Sequence, residues 1–278
     1  MDRDVTVAAT MAAGLAHPEI QLAQTRYRLG LVDAWGIAPG ARVLEIGCGQ
    51  GDMTAALADA VGPAGQVLAV DPADSNYGFP KTLGESAAYL KNSPLGDRIE
   101  FRFHCDVLTS SFPDHSFDEV VLSHCAWYFA SIDQLRSTLE RIRPWSPRLR
   151  FAEWDLRPTS LAQLPHVLAV MLQGQIEAAG ARGQGNIRTP FSKAALLREL
   201  DRTGWQVVAE AAMDTTGLQD ADWEVAAALS MVDERRDRLP IPIRDFVDSL
   251  VDQLRAAARP QGNESLPSYA LTAEPVPR

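Results

Sequence analysis

The densest chemistry in the sequence sits in Val43-Leu44-Glu45-Ile46-Gly47-Cys48-Gly49-Gln50-Gly51-Asp52-Met53-Thr54. An apolar run of strand length enters a glycine-rich turn, and the turn opens a helix. Glycine lacks a Cβ, so the backbone can bend sharply and a ligand can come close. In a doubly wound sheet such a turn lies at the carboxyl edge, beside the switch point where ligands bind. The glycines here follow G-x-G-x-G rather than the G-x-G-x-x-G of dinucleotide sites, and Asp52 stands at the sixth position. An acid at a helix N-terminus repels pyrophosphate and suits a cation, which speaks against a nicotinamide dinucleotide. Glu45 adds a second acid two residues before Gly47. It suits the same ligand pocket, or it pairs with a nearby cation.

Asp71 closes the run Gln66-Val67-Leu68-Ala69-Val70, 20 residues after Gly51. An acid there can accept both hydroxyl hydrogens of a ribose; the plain alternative is a helix cap. Cys105-Asp106-Val107 follows the next apolar run. Asp106 can accept from an adenine amine while a neighbouring backbone N–H serves a ring nitrogen. Asp114 and Asp118 lie close by in sequence and compete for that assignment. His124 comes just after a fourth strand. Histidine ordinarily titrates near neutrality and can act as a general base on a hydroxyl or amine; a hydrogen-bonded wall residue is the alternative. Trp127, Tyr128 and Phe129 follow it. Their ring faces can attract a cation, or they pack a helix on the sheet. Glu153, Trp154 and Asp155 end a fifth strand at the same edge, and Tyr27 on the first long helix covers the ligand or joins the core. His104-Cys105 and His124-Cys125 do not suggest a metal. Neighbours on an extended chain point to opposite faces, and no C-x-x-C or H-x-x-x-H spacing supports zinc.

Taken together, LEIGCGQGD, VLAVDP, HCDV and FDEVVLSHCAW resemble the motifs of the class I S-adenosylmethionine-dependent methyltransferases. The resemblance covers residues 20–155 and, more faintly, the strands near 205 and 270. It implies that Glu45, Gly47, Cys48, Gly49, Gly51 and Thr54 surround the methionine and ribose part of S-adenosylmethionine. Asp71 with Pro72 would bind the ribose, and Cys105, Asp106 and Val107 the adenine. The carbonyl of Ser123 would meet the methionine ammonium. Tyr27, Trp127, Tyr128, Glu153 and Trp154 are then the candidate acceptor contacts, and His124 the candidate base. The implied fold is α/β: a Rossmann-like, doubly wound, seven-stranded, mostly parallel sheet in the order 3-2-1-4-5-7-6. Its last strand is antiparallel, and helical insertions form a lid.

The elements that must position these residues follow from periodicity. Residues 19–36 read as a helix ended by Pro39-Gly40, and residues 1–18 as an alanine-rich, loosely held lead. Strands are expected at 42–47, 66–71, 100–103, 117–123 and 148–154, with helices at 52–61 and 81–91 between them. Ser131 caps a helix striped by Ile132, Leu135, Leu139 and Ile142 and stopped by Pro144. Short apolar strands alternating with helices imply right-handed βαβ units. The second half departs from that rhythm. Helices are expected at 158–180, 192–203 and 219–236, and another, carrying Ile243, Phe246, Val247, Leu250, Val251 and Leu254, ends near Pro260. Strands are expected at 205–213 and 268–273. The chain then divides into residues 1–155 (first helix and cofactor-binding core), 156–203 (helical insertion) and 204–278. That last part holds two core strands interrupted by a lid over about 214–264.

Composition narrows the partners. The chain has 278 residues, 46% hydrophobic and 22% charged, which suits a globular core. Its net charge of −10 disfavours nucleic acid and anionic membrane surfaces. No stretch of 18 apolar residues is present, the first residues are charged, and three cysteines make no disulfide framework. A cytoplasmic protein, monomer or homodimer, is expected. The expected activity is in-line methyl transfer to a small, largely apolar molecule of specialised metabolism, giving S-adenosylhomocysteine. N/D-P-P-Y, a DNA methyltransferase signature, has no counterpart at Ser123-His124-Cys125-Ala126. The rivals are a cyclase, lyase or isomerase that uses the cofactor's charge without transferring methyl, and a non-catalytic cofactor-binding module. An NAD-linked oxidoreductase ranks behind both.

Overall fold

A computed structural model describes residues 2–183, 187–259 and 262–277. Its strands are β1 (Arg42–Ile46), β2 (Gln66–Val70), β3 (Ile99–Arg102), β4 (Glu119–Ser123), β5 (Leu149–Trp154), β6 (Trp205–Met213) and β7 (Ser268–Pro275). They form one sheet in the order β3-β2-β1-β4-β5-β7-β6. β1 to β5 pair in parallel, while β7 runs antiparallel to both β5 and β6. This is the strand order implied by the resemblance. β4 and β5 are buried along almost their whole length, as strands covered on both faces must be. β6, at the edge, is half exposed.

The helices among the described residues are α1 (Arg3–Ala8), α2 (Pro18–Trp35), α3 (Asp52–Val61), α4 (Leu83–Lys91), α5 (Ile132–Ile142), α6 (Leu164–Ala178), α7 (Lys193–Arg202), α8 (Asp220–Arg235) and α9 (Ile241–Ala257). The sheet is laid down outward in two directions from β1. Right-handed crossovers therefore set α3 and α4 on one face and α5 on the other. Ser131 Oγ accepts from Gln134 N at 3.2 Å to start α5, whose Leu135, Leu139 and Ile142 are fully buried. The stop expected for α9, Pro260, lies outside the described residues.

One expectation changes. Residues 1–18 are not loosely held. Val7 and Met11 enter the main core, and Arg3 bonds Asp33 of α2 at 2.7 Å and Asp59 of α3 at 2.6 Å. The side chains of residues 156–203 are shared between two cores. Leu196 and Leu200 of α7 join the main core beside β6, and so does Val170 of α6, whose other fully buried apolar side chains pack with α8 and α9. There Leu172, Ile176, Met231, Val247, Val251 and Leu254 make a second core, crossed by a buried Glu177–Arg235 ion pair of 2.9 Å. This helical cap is tied to the sheet by polar bonds. Gln24 of α2 donates to Asp220 Oδ2 at 2.8 Å, Leu266 N to His166 Nδ1 at 3.0 Å, and Arg188 N to the Trp127 carbonyl at 2.9 Å. Beneath the site, Arg150 of β5 clamps the sheet from within. It donates to Glu119 of β4 at 2.8 and 3.0 Å and to Thr272 of β7 at 2.6 Å.

Candidate active site

The turn after β1 adopts the left-handed backbone that glycine allows: φ is +75° at Gly47, +52° at Gly49 and +93° at Gly51. A Cβ at Gly47 would stand 2.6 Å from Cys125 Cβ, so that glycine lets the loop after β4 close on β1. Cys125 completes the contact by donating its thiol to the Ile46 carbonyl at 3.1 Å. Gly49 is the opposite case. Nothing lies within 4 Å of the Cβ it lacks, which leaves an open cradle over the turn. Asp71 borders that cradle. Its Oδ2 accepts from Gly49 N at 3.0 Å and its Oδ1 from Ala73 N at 2.9 Å. Each oxygen keeps a second lone pair, the acceptor pair that the two hydroxyls of a ribose diol need. The residues present thus fit a nucleoside at this turn.

Glu45 lies beneath the turn, 2% exposed, and accepts from Thr54 Oγ1 at 2.5 Å. Burial lifts its carboxyl to about 8, so the acid is mostly neutral at pH 7. Cys48 is buried too, and its thiol is pushed up by the same desolvation. Asp106 is half buried, with Oδ1 accepting from Leu108 N at 2.9 Å, and Cys105 Sγ lies 3.4 Å from Ser110 Oγ. Val107 is buried, Ser123 half buried at the end of β4, and Pro72 exposed.

The ends of β4, β5 and β7 bring the remaining candidates together. His124 N donates to the Ala152 carbonyl at 2.9 Å, and its φ of +49° is rare for a side-chain-bearing residue. This aims the imidazole at Tyr27 of α2, whose hydroxyl lies 2.6 Å from Nε2. Nδ1 stands 3.3 Å from Glu153 Oε1, a charge contact without the alignment of a hydrogen bond. The Tyr27 hydroxyl also touches Ser268 Oγ at 2.5 Å. Trp154 packs over the group, stacked on Tyr27 (centroids 6.3 Å, 7°) and tilted against His124 at 4.6 Å. The Tyr27 hydroxyl is pushed well above its ordinary value by desolvation.

Trp127 and Tyr128 separate. Trp127 is buried, donates its indole N–H to the Phe191 carbonyl at 3.2 Å and packs edge-on to Phe191, whereas Tyr128 is exposed. Two site residues escaped the sequence. Ser268 is brought to Tyr27 only by the antiparallel pairing that sets it opposite Trp154. His166, fully buried on α6 and edge-on to Trp154, is held neutral by burial, which lowers its imidazole to about 3. Neither stands in a motif. A cleft of about 670 Å³ opens beside this edge between Ala130, Ile132, Met171, Gly174 and Pro190, with Arg182 and Arg188 on its lining. A smaller cleft, about 260 Å³, lies at the amino edge of β1–β3 among Arg42, Asp97 and Glu100.

Residues 43–146 match a family described as a methyltransferase domain. Methyltransferase phomM' of Diaporthe leptostromiformis is 33% identical over 49% of this chain and 41% of its own length. Demethylmenaquinone methyltransferase of Staphylococcus aureus is 32% identical over 34% of this chain and 36% of its own. The chain therefore spans less than half the length of either relative. The solved structure of a cyclopropane-fatty-acyl-phospholipid synthase-like protein from Lactobacillus casei is similar throughout. It has 34% identity over 98% of both chains and a TM-score of 0.89.

Proposed function

Because this chain belongs to the class I S-adenosylmethionine-dependent methyltransferases, we propose that it transfers a methyl group from S-adenosylmethionine to a small-molecule acceptor. The observation that carries this reading is a convergence at one sheet edge. The open glycine cradle bordered by Asp71 and the His124–Tyr27–Glu153 group both rise from the carboxyl ends of the central strands. S-adenosylmethionine, when bound, supplies the methyl group on a sulfonium that already carries the activating charge. The chain's task is then to align, to exclude water and to manage a proton. Asp71 holds the ribose through the lone pairs that Gly49 and Ala73 leave free. Asp106 and the backbone beside it take the adenine. Gly49 keeps the space over the turn open. His124 is the base, with Trp154 and the cap walling it from water. The mainly apolar cleft beside Met171 suits a largely apolar acceptor. Its cysteines are free, as a reducing compartment such as the cytoplasm requires.

Titration calorimetry with S-adenosylmethionine tests the map. Asp71→Ala is expected to weaken binding at least ~10-fold, about the worth of one charge-assisted hydrogen bond. Unchanged affinity would refute the placement of the ribose. Release of S-adenosylhomocysteine across a panel of acceptors then tests the transfer itself.

A further inference from the structure

Both nitrogens of His124 face protein groups, Nε2 in a hydrogen bond and Nδ1 in a charge contact without hydrogen-bond alignment. Nε2 meets the Tyr27 hydroxyl at 2.6 Å, and Nδ1 faces Glu153 at 3.3 Å. A base so enclosed cannot meet an acceptor through a free nitrogen. The direction of the protons follows from the partners. Glu153 Oε1 acts as an acceptor, taking the Trp154 N–H at 3.2 Å, and a ring nitrogen that faces an acceptor oxygen is the one that carries the proton. Nδ1 is then N–H and Nε2 the acceptor. Tyr27 donates to Nε2, and Ser268 donates to Tyr27 at 2.5 Å. One lone pair of the Tyr27 oxygen is left over. The geometry points to Tyr27, His124 and Glu153 forming one proton path, and to an acceptor that is a protic nucleophile, a hydroxyl or an amine arriving with its proton.

The inference rests on the methyl-transfer reading for its last step. The acceptor's O–H or N–H bond breaks and its proton goes to the Tyr27 oxygen as Tyr27's own proton passes to His124 Nε2. The acceptor's electron pair forms the bond to the methyl carbon, and the sulfur keeps the pair of the broken C–S bond. Glu153 faces the imidazolium so formed. The side chain of His124 is 15% exposed, enough to return the proton to solvent after product leaves. Glu153 is a positioning residue in this scheme, since it acts through His124. Trp154, stacked on the phenol, holds its ring while the proton moves.

Tyr27→Phe keeps the ring and removes the path. Its turnover of phenols and amines with pKa near 10 is expected to fall about 100-fold, the usual worth of a placed proton acceptor. For 4-nitrophenolate, already ionised at pH 8, it should stay within about three-fold. Affinity for S-adenosylhomocysteine should not move. An equal loss for both acceptor classes, or no loss, overturns the path; turnover of a monounsaturated acyl chain alone overturns the acceptor class. Nitrogen-15 NMR of His124 needs no turnover. A proton on Nδ1 and a bare, hydrogen-bonded Nε2 in the wild type, redistributed in Tyr27→Phe, supports the path. A proton on Nε2 overturns it. If that signature is present while no acceptor yields S-adenosylhomocysteine, the proton path stands and the methyl-transfer reading falls.

Discussion

Two glycines two residues apart do different work. Gly47 combines a φ of +75° with a Cys125 Cβ that would stand 2.6 Å from any added methyl. Gly47→Ala is therefore expected to cost about 1–3 kcal/mol of stability, read from urea unfolding. Gly49→Ala meets open space, so its cost is the backbone term alone, about 1–2 kcal/mol, and its main effect should be weaker cofactor binding. If Gly47→Ala binds normally and unfolds like wild type, the close approach of the two loops is wrong. Glu45 makes a pH prediction. Its folded value of about 8 exceeds the ordinary 4.5, so between these values the folded chain holds a proton that the unfolded chain has released. The stability it contributes is complete below pH 4.5 and fades as the pH climbs through 8. Glu45→Gln should thus gain on wild type between pH 5 and pH 8.5 in urea midpoints; a constant gap would exclude the buried neutral acid. The residues around the glycine turn were legible because their chemistry is local in sequence. His124 stood out by its place just past β4, yet its bond to Tyr27 was not readable, since those partners stand 97 positions apart.

Among the elements, β5 carries the sharpest dependence. Arg150 is buried and satisfies Glu119, itself 2% exposed, while reaching Thr272 on β7. Arg150→Met leaves a carboxylate buried without its main partner, with only half-exposed Arg148 at 3.4 Å as a substitute. A loss of about 3–5 kcal/mol is expected, visible as an earlier thermal transition. A shift of less than 1 kcal/mol would mean that Arg148 takes over. The parallel strands were readable because two-sided burial forces runs such as Val120-Val121-Leu122. The lead helix α1 was missed for the opposite reason. Its six residues carry two strongly apolar side chains, Val5 and Val7, of which only Val7 is buried, and its place is set by contacts with α2 and α3 and by Arg3 bridging Asp33 and Asp59. α7 was found as a helix without its neighbours, because an amphipathic stripe names a buried face and not what covers it.

At the scale of the molecule, two hydrophobic cores share one chain. The cap of α6, α8 and α9 hangs on its own packing, its Glu177–Arg235 pair, Val170 in the main core and a few polar ties to the sheet. Hydrogen exchange should open α8 and α9 before β1, β4 and β5. Glu177→Gln, which leaves Arg235 without a charge partner, should quicken exchange in the cap about 10-fold or more while leaving those strands unchanged. Uniform acceleration would mean one cooperative unit. Net charge is also a property of the whole molecule, and here it is not a constant. The −10 counted from the sequence treats Glu45 as ionised, whereas burial leaves it mostly protonated at pH 7. A positive ligand over the glycine turn favours the ionised acid, so Glu45 gives up its proton to the medium as the ligand is taken up. The heat measured on binding then depends on what receives that proton. Affinity at pH 7 should be the same in phosphate and in Tris, but the apparent enthalpy should differ by a fraction of the difference between the two buffers' ionisation enthalpies.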